Sequence, residues 1–490
     1  MATISSLGIG SNLDLGGLLD SIKAGEQAPL VALQKRQTAF TAKLSAYGQV
    51  SSALSALQTA SQALAKPELF TAVKASSNDN EVVSATAAAS ASSGVYAINV
   101  TQLSQAQSVA AAGVASTTGA LATGTGTTTL MIDFGKIAGG ALDTDGKYTG
   151  ASFAPAGLPL ATAANAITID PAKSSLADIR DAINGNAAMG VTASIVNDGS
   201  SSPNRLVLTS KETGEASSMR ITVTGDAALA SLLSNNPAGL PAEQLQQTVA
   251  AQNSQLTVNG IAVTSANNTV VDAAPGVTMT LAKLGTSTLT VNKDNASVEG
   301  AINNFVKAFN GLQSVASKLS AFDASSSVGG ALLGDSVLRN IQVGIRSALT
   351  SAQADNGSGL TMLSNIGLSF QKDGTLSADA TKLKATLSDN LSGVAKLFSG
   401  NAGVGGYGTQ MAALITGYTN TDGTLSAATK GLSTSLDTLK DRYAQSQERI
   451  EATVARYKAQ FTALDLMISR MTATSSYLTQ QFEIINAPTK

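Results

Sequence analysis

"RYKAQFTALDLMISRMTATSSYLTQQFEII", residues Arg456–Ile485, is the stretch that decides the fold. On a helix its large apolar residues fall at steps of four and three, and Ser475 alone interrupts them. These residues are Tyr457, Phe461, Leu464, Ile468, Met471, Leu478 and Phe482. Such a long apolar stripe is a liability when it is exposed on a soluble chain. We therefore expect a partner to cover it.

A second stripe of this kind lies near the start of the chain. Three-and-four spacing relates Leu30, Leu33, Phe40, Leu44, Tyr47, Leu54 and Leu57, with interruptions at Gln37 and Ser51. The pattern predicts a helix from about Leu18 to Lys66, with Pro29 suited to a helix start and Pro67 closing the segment. Gly16, Gly17, Gly25 and Gly48 weaken this region as a helix, so we expect it to depend on packing for its stability.

The final helix is predicted to begin beyond Gly431. No glycine or proline occurs between Leu432 and Ala487, which permits a helix of about 80 Å at about 1.5 Å per residue. Its apolar stripe starts at Leu432 and has one slipped step, from Ile450 to Val454. A local change of supercoil is expected at that step.

Between the terminal helices the sequence pattern is typical of β-strands. Short alternating runs such as "GVYAINV", "RLVLTS" and "QLTVNGIAVT" predict strands from about Ala75 to Val291. We expect long loops in residues 110–166 and a short amphipathic helix in residues 171–184. The helical period returns after Asn295, broken by a hairpin-like insertion at "IGLSFQKDGTLSADATKLKATL".

The order helix, sheet, helix predicts an α+β multidomain protein, in which terminal α-helices form a coiled-coil or helical-bundle stalk and carry nested β-rich insertion domains. An N-terminal arm, residues 1–42, pairs with a C-terminal coiled-coil helix, 445–490. A helical domain comprises residues 43–74 and 297–444. An inner β domain comprises residues 75–105 and 251–296, and an outer β-rich domain comprises residues 106–250.

Composition excludes several classes of function. The chain of 490 residues has no Cys, His or Trp, which removes disulfides, His-based catalytic triads and ordinary zinc sites. Carboxylate or lysine chemistry stays open. A net charge of -2 gives no sign of nucleic-acid binding. We find no secretory signal and no apolar run of membrane-spanning length, and we expect no cofactor and no metal.

Three motifs that resemble functional sites have simpler interpretations. Residues Gly403–Gly408 match G-x-G-x-x-G but follow a helix instead of a strand, so a loop between helices is the better interpretation. Residues Asp143–Tyr148 offer two carboxylates but lack the bidentate Glu of a calcium loop, which favours a β-turn. Ser336 lies in a nucleophile-like "GDSV", but the chain has no His to activate it.

The heptad stripes are the remaining functional candidate. Such stripes usually pack within one chain, but here they are long and lie at both ends of a chain with no evident chemistry. We therefore predict an assembly interface along the helical seams. Its residues are Leu30, Leu33, Phe40, Leu44, Tyr47, Tyr457, Phe461, Leu464, Ile468, Met471, Leu478 and Phe482.

Several segments resemble one family in the right order. "ISSLGIGSNLDLGGLLDSI" near the start and "RYKAQFTALDLMISRMTATSSYLTQQF" near the end resemble the signatures of the bacterial flagellar filament-capping family, hook-associated protein 2. Residues 176–214 and 256–285 are similar to the repeated insertion motif of hook and flagellin-associated proteins, and residues 366–398 resemble the family's carboxy-terminal region. Residues 106–165 show no such likeness.

The resemblance implies a structural cap at the distal tip of the flagellar filament. It implies a homopentamer or homohexamer ring that promotes folding and polymerisation of exported flagellin and prevents its loss. Implied partners are a second copy of the chain, flagellin, the flagellar type III export machinery and an export chaperone. The implied location is extracellular, at the filament tip, without a cleaved signal peptide.

Alternatives stay open at this point. A tip protein is well placed to be an adhesin that binds host mucin or glycans. An enzyme would need a carboxylate pair in a pocket. Flagellin and the junction proteins share helical termini around β insertions, but the "GTLSADATKLKATL" region favours the cap.

Overall fold

The computed structural model describes residues 13–156, 165–325, 327–354, 357–400 and 405–485. These residues form two compact units. The helical unit comprises the described residues up to Phe70 and those from Asn295 onward, and the β unit comprises Thr71–Asp294. Helices at both ends and β-rich structure between them confirm the predicted α+β class. The finer domain boundaries stay predictions.

The helices of the described residues are α1 Leu15–Leu64, α2 Pro67–Thr71, α3 Leu176–Gly185, α4 Ala227–Leu233, α5 Asn295–Ser320, α6 Ser336–Thr350, α7 Ala380–Asp389, α8 Leu391–Ser399, α9 Tyr407–Thr419 and α10 Thr424–Ile485. The predicted amphipathic helix in residues 171–184 is confirmed as α3 with a short 3₁₀ turn before it. Ser175 and Asp178 form a capping box that fixes the start of α3.

The first helix is continuous, so the expectation of a helix start at Pro29 was wrong. Asp14 caps α1 by accepting a hydrogen bond from the amide of Gly17 at 2.8 Å. Pro29 lies inside the helix, where it lacks a backbone N–H to donate and its ring crowds the carbonyl of the preceding turn. Packing of α1 on both sides of Pro29 outweighs that loss, since Leu15 before it and Leu30 after it are buried.

The last helix begins earlier than predicted. It starts at Thr424, and Gly431 lies in its interior at a cost of about 1 kcal/mol relative to alanine. Leu425 is buried in the core of the helical unit, and Leu432 packs against that core. This burial holds the first turns of α10 in place, which residue propensity alone could not predict.

The helical unit has one core, to which α1, α5, α6, α8 and α9 contribute most. Glycines set the closest approach of its helices: a methyl group on Gly408 would lie 2.8 Å from the carbonyl oxygen of Ser61 on α1. Tyr407 beside it is buried and donates a hydrogen bond to the carbonyl oxygen of Ser351 at 2.7 Å. The glycine-rich run 403–408 therefore ends in a packing motif that begins α9, while residues 401–404 lie outside the described residues.

The hairpin-like insertion of the helical unit is confirmed. Strands β19 Leu368–Phe370 and β20 Leu376–Ala378 pair antiparallel, and a shorter pair consists of β17 Phe322–Asp323 and β18 Val328–Gly329. Asn310 on α5 holds the hairpin by accepting the amide of Leu376 and donating to its carbonyl, both at 2.8 Å.

The β unit contains two hydrophobic cores. The first lies between a five-stranded sheet in the order β1-β16-β3-β12-β13 and a three-stranded sheet in the order β14-β15-β2. These strands are β1 Val73–Ser77, β2 Val83–Ala87, β3 Gly94–Gln102, β12 Ser254–Val258, β13 Ile261–Ser265, β14 Thr269–Ala274, β15 Val277–Leu281 and β16 Gly285–Lys293. Every pairing is antiparallel, and buried residues alternate along the central strands.

The second core is built from sheets β10-β5-β6, with β7 also paired to β5, and β11-β4-β9-β8, together with α3 and α4. Its strands are β4 Ser108–Ala110, β5 Thr128–Leu142, β6 Tyr148–Pro155, β7 Ala166–Ile169, β8 Val191–Asn197, β9 Asn204–Ser210, β10 Ser218–Thr224 and β11 Gln246–Val249. Asp226 caps α4 and also accepts the amides of Thr123 and Gly124 at 2.7 and 2.6 Å, which ties an otherwise irregular loop to this core.

Long loops were expected in residues 110–166, and this was wrong for much of the segment. Strands β5 and β6 form a long hairpin there. Its outer half is exposed on both faces, so it lacks the apolar alternation by which a strand is recognised. The β-turn in residues 143–148 is confirmed, because the Asp143 carboxylate accepts the amides of Asp145 and Lys147, both at 2.9 Å.

Candidate functional site

Helices α1 and α10 run antiparallel beside each other. The side-chain amide of Gln37 donates a hydrogen bond to the carbonyl oxygen of Leu439 at 3.1 Å. One groove is lined by Pro29 and Arg36 of α1 and by Arg442 and Arg449 of α10. The polar residue Gln37, which interrupts the N-terminal stripe, therefore contacts the backbone of α10 and does not break the pairing.

The pairing covers only part of α10. Leu15, the first residue of α1, lies twenty-two residues before Gln37, so its level corresponds to about residue 461 of α10. From there α10 continues to Ile485, which is roughly 36 Å of helix at about 1.5 Å per residue. Along the described residues, this part of α10 extends past its neighbour.

Exposure along the stripe of α10 rises toward the carboxyl end. Leu436, Leu439 and Ile450 are buried, with 5 to 9% of their surface exposed. Leu464 is 40% exposed, and Phe482 near the end of the helix is 61% exposed. The apolar face that the sequence predicts is thus covered within the subunit at its start and open at its end.

The predicted interface residues fall into three groups. Leu30 and Tyr47 are buried; Leu33, Phe40, Leu44, Tyr457, Phe461 and Ile468 are half-buried; Leu464, Met471, Leu478 and Phe482 are exposed. The structure brings Tyr457 and Phe461 together, with ring centroids 6.2 Å apart. The exposed group lies on the part of α10 that extends beyond α1, and we call it the open stripe.

Tyr47 lies in the core of the helical unit. Its hydroxyl donates to Asp335 at 2.8 Å, and the Lys43 ammonium lies 2.7 Å from the same carboxylate. Burial, reinforced by the bond to Asp335, raises the pKa of Tyr47. Burial also acts to raise the pKa of Asp335, but Lys43, the Leu338 amide and Tyr47 outweigh it and hold that pKa below its usual range. This cluster fastens α1 to the start of α6.

A second apolar line on α10 was missed by the sequence analysis. Leu466, Tyr477 and Ile484 are 56, 60 and 67% exposed. Tyr477 lies about three turns after Leu466, and Ile484 lies about two turns after Tyr477, so the three share one side of the helix. Leu466 lies roughly 200° around the helix from Leu464, so this side is opposite the first stripe. The signal was present in the spacing, but the stronger stripe obscured it.

The open end of α10 is therefore apolar on two sides and carries little charge. Between Phe461 and Phe482 the only side chains that are charged at neutral pH are Asp465 and Arg470. A helix with apolar residues on two sides is expected to contact neighbouring elements along both of them. This geometry can bind other helices on both sides, and it offers no chemistry of its own.

Among the described residues, no group of three or more acidic residues is placed to hold a metal ion. No described helix combines the length and the hydropathy that a bilayer crossing requires.

Comparisons with known proteins point to one family. Residues 11–107 match the model of the flagellar hook-associated protein 2 N-terminus, and residues 251–473 match the model of its C-terminus. Residues 161–212 match the flagellin hook IN motif. The two larger matches include most of the helical unit and the first core of the β unit.

Curated relatives span the whole chain. Flagellar hook-associated protein 2 of Escherichia coli K12 is 40% identical over 99% of this chain and 99% of its own. The protein of that name from Salmonella typhimurium is 39% identical over 99% of this chain and 100% of its own. A crystal structure of the flagellar cap protein FliD D1-D2-D3 domains from Escherichia coli superposes with a TM-score of 0.62, at 36% identity, over 79% of this chain and 99% of that one. These comparisons give the adhesin alternative no support.

Proposed function

This chain belongs to the flagellar hook-associated protein 2 family, a structural family that caps the flagellar filament, and we propose that it forms a homopentamer or homohexamer ring at the filament tip. Beneath the ring, exported flagellin folds and polymerises, and the ring prevents its loss. The protein is located at the flagellum.

The open stripe on α10 supports this proposal most directly. Its four residues are between 40 and 62% exposed in the subunit. Full burial of one such side chain is worth about 1.5–3 kcal/mol, so a partner that covered the four would gain several kcal/mol. The residues of α10 and α1 that are already buried in the subunit hold the helix in place for that contact.

The two apolar lines define the kind of partner. Because Leu464 and Leu466 lie on opposite sides of α10, one neighbouring helix cannot cover both. A helix from a second copy on one side and a helix from flagellin on the other would cover both lines. In this arrangement α10 contacts the ring on one side and the filament on the other. These contacts hold the cap on the filament end.

The β unit has a different part in the proposal. It forms the plate of the cap, as the resemblance implies, and the chain reaches the tip through the flagellar type III route with an export chaperone. The absence of Cys removes one source of covalent traps during threading and refolding outside the cell.

Electron microscopy of the purified full-length chain tests the ring. Particles viewed down the symmetry axis should show closed rings with fivefold or sixfold symmetry. A sedimentation profile that contains only monomer at every concentration up to that of the micrographs would contradict the ring.

The capping role needs a cellular assay. A flagellated bacterium that lacks its own cap should secrete flagellin monomer into the medium, and supplying this chain should restore filaments of normal length. The strain's own cap serves as the positive control and an empty vector as the negative one. Secretion of this chain without recovery of filaments, in a strain whose flagellin is closely related to the native partner, would refute the role.

A further inference from the structure

The oxidisable side chains of this chain are unusually restricted. With no Cys, His or Trp, its nine methionines are the side chains most open to two-electron oxidation. Met189, Met219, Met279 and Met411 are fully buried, and Met131 is half-buried. An oxidant in solution therefore meets few reactive sulfur atoms on the folded chain.

Two of the exposed methionines lie together on the open end of α10. Met467 is 61% exposed and Met471 is 62% exposed. They are four residues apart, which places them one turn apart on one face of the helix. Leu464 is one turn before Met467, and Leu478 is about two turns after Met471. The reactive pair is thus part of the apolar surface through which the cap is proposed to dock.

We propose that Met467 and Met471 are an oxidation site at which hydrogen peroxide inactivates the free subunit, and that docking of α10 protects them. This inference rests on the proposed function. It adds a chemical vulnerability of the subunit between export and assembly, when the open stripe faces the medium.

The chemistry is a transfer of one oxygen atom. The thioether sulfur attacks one peroxide oxygen, the O–O bond breaks, and a new S–O bond forms. The sulfur loses two electrons, and the peroxide accepts them. The proton on the transferred oxygen passes to the other peroxide oxygen, which leaves as water. The product is methionine sulfoxide.

The product opposes docking for a physical reason. The sulfoxide oxygen is a strong hydrogen-bond acceptor, whereas the thioether that it replaces is a weak one. The leucines on the docking face, Leu464 and Leu478, have no donor to offer it. Thr474 already donates its hydroxyl hydrogen to the carbonyl oxygen of Arg470 at 2.8 Å. The side chains of Arg470 and Ser475 line the same surface and are exposed in the subunit, so docking would have to bury them together with the sulfoxide. Burying the sulfoxide without a partner is unfavourable, so oxidation of the pair should lower affinity for the filament end roughly tenfold or more.

Met362 provides an internal control. It is 40% exposed and precedes a short 3₁₀ helix of the helical unit, far along the chain from α10. Its backbone amide donates to the Asn365 side chain at 2.8 Å, a contact that oxidation of its side chain leaves intact. Peroxide should reach Met362 as well, but the sulfoxide there does not lie on the docking surface.

The test uses full-length protein and sheared flagellin filaments. Wild type, the double variant Met467→Leu with Met471→Leu, and Met362→Leu are each treated with hydrogen peroxide, quenched with catalase and mapped by peptide mass spectrometry. The readout is the fraction of filament ends occupied after oxidation divided by the fraction before it. The ratio cancels any effect of the leucines on seating itself, and leucine conserves the volume of methionine.

For wild type and Met362→Leu the ratio should fall roughly tenfold or more, whereas for the double leucine variant it should stay near one. Seating of wild type that survives complete oxidation of Met467 and Met471 refutes this inference alone. An equal fall in the double variant also refutes it, because other residues would then cause the loss. Unoxidised wild type that never occupies filament ends refutes the proposed function and this inference with it.

Discussion

Acidic substitutions on the open stripe separate folding from docking. Met471 and Leu478 are 62 and 49% exposed in the subunit, so aspartate at both positions stays in water there. The unfolding free energy should fall by no more than about 1 kcal/mol, which is the helix propensity difference together with the usual effect of surface substitutions. Circular dichroism and thermal unfolding of the double variant should resemble those of wild type.

Docking should fail in the same variant. Burying the exposed part of each native side chain is worth about 1–2 kcal/mol, and that gain is lost. Burying an unpaired carboxylate in its place costs several kcal/mol more. Each site should therefore weaken seating by about 3 kcal/mol or more, roughly a hundredfold in affinity. In cells without their own cap, the variant should leave flagellin unpolymerised in the medium.

A matched control carries the same charge at the same spacing. Aspartate at Ser469 and Ser476 adds two negative charges seven residues apart, as at Met471 and Leu478, but on a polar side of α10. Filament length and secreted flagellin are compared at equal export of all three proteins. Full-length filaments from Met471→Asp with Leu478→Asp would refute the argument, and so would equal failure of the serine control, because the defect would then follow charge instead of the stripe.

Three further outcomes are expected. Asp335→Ala removes the cap of α6 and leaves the buried hydroxyl of Tyr47 without its acceptor, so the free energy of unfolding in urea should fall by about 2–4 kcal/mol. Asp14→Ala, at an exposed cap, should lower the same free energy by about 1 kcal/mol or less. The amides of Leu229, Gly124 and Thr123 lower the pKa of Asp226 to about 2. The ionised carboxylate therefore stabilises the fold above pH about 4, and this stabilisation is lost as the pH falls to about 2. In unfolding curves measured at a series of pH values, Asp226→Asn should remove this part of the acid sensitivity. The fragment 71–294 should unfold cooperatively with a β-type circular dichroism spectrum, and a fragment that is unfolded by itself would refute the nested-insertion hypothesis.

The elements that the sequence predicts well are those in which periodicity and burial coincide. The first helix was expected from about Leu18 to Lys66 and is found at Leu15–Leu64, because its stripe packs along most of its length. In the β unit, "RLVLTS" and "QLTVNGIAVT" become β9 and the β12–β13 hairpin, in which one face of the sheet is buried and alternation survives.

The elements that were missed lack this coincidence. The outer half of the β5–β6 hairpin has no buried face to impose a pattern. Two of its glycines, Gly139 and Gly140, have φ of 66° and 72°, and such left-handed positions are typical of turns, so a local interpretation favours a loop. The early start of α10 depends on Leu425 reaching a core that is assembled from distant segments, and no window around Gly431 contains that information.

The seam residues show a sharper limit of sequence reasoning. Spacing predicts that Tyr47 and Phe482 belong to apolar stripes, and both do. Spacing cannot say that Tyr47 is 4% exposed inside the helical unit while Phe482 is 61% exposed. The exposure of Phe482 depends on where α1 begins relative to α10. These two segments are more than four hundred residues apart in sequence.

Polar breaks in the two halves of the stripe have different consequences. Ser446 interrupts the covered half of the α10 stripe and is 8% exposed. Packing against α1 within the subunit already offsets the desolvation cost of its hydroxyl. Ser475 interrupts the open half and is exposed, so its desolvation is deferred until a partner docks. If the cap admits new flagellin beneath it, as the proposed function requires, it must release and re-seat repeatedly, and an interface weakened at its centre by a hydroxyl can do so. A stripe of uninterrupted leucine would bind more tightly and release more slowly. The exposed serine is therefore better explained by reversible docking than by a permanent coiled coil.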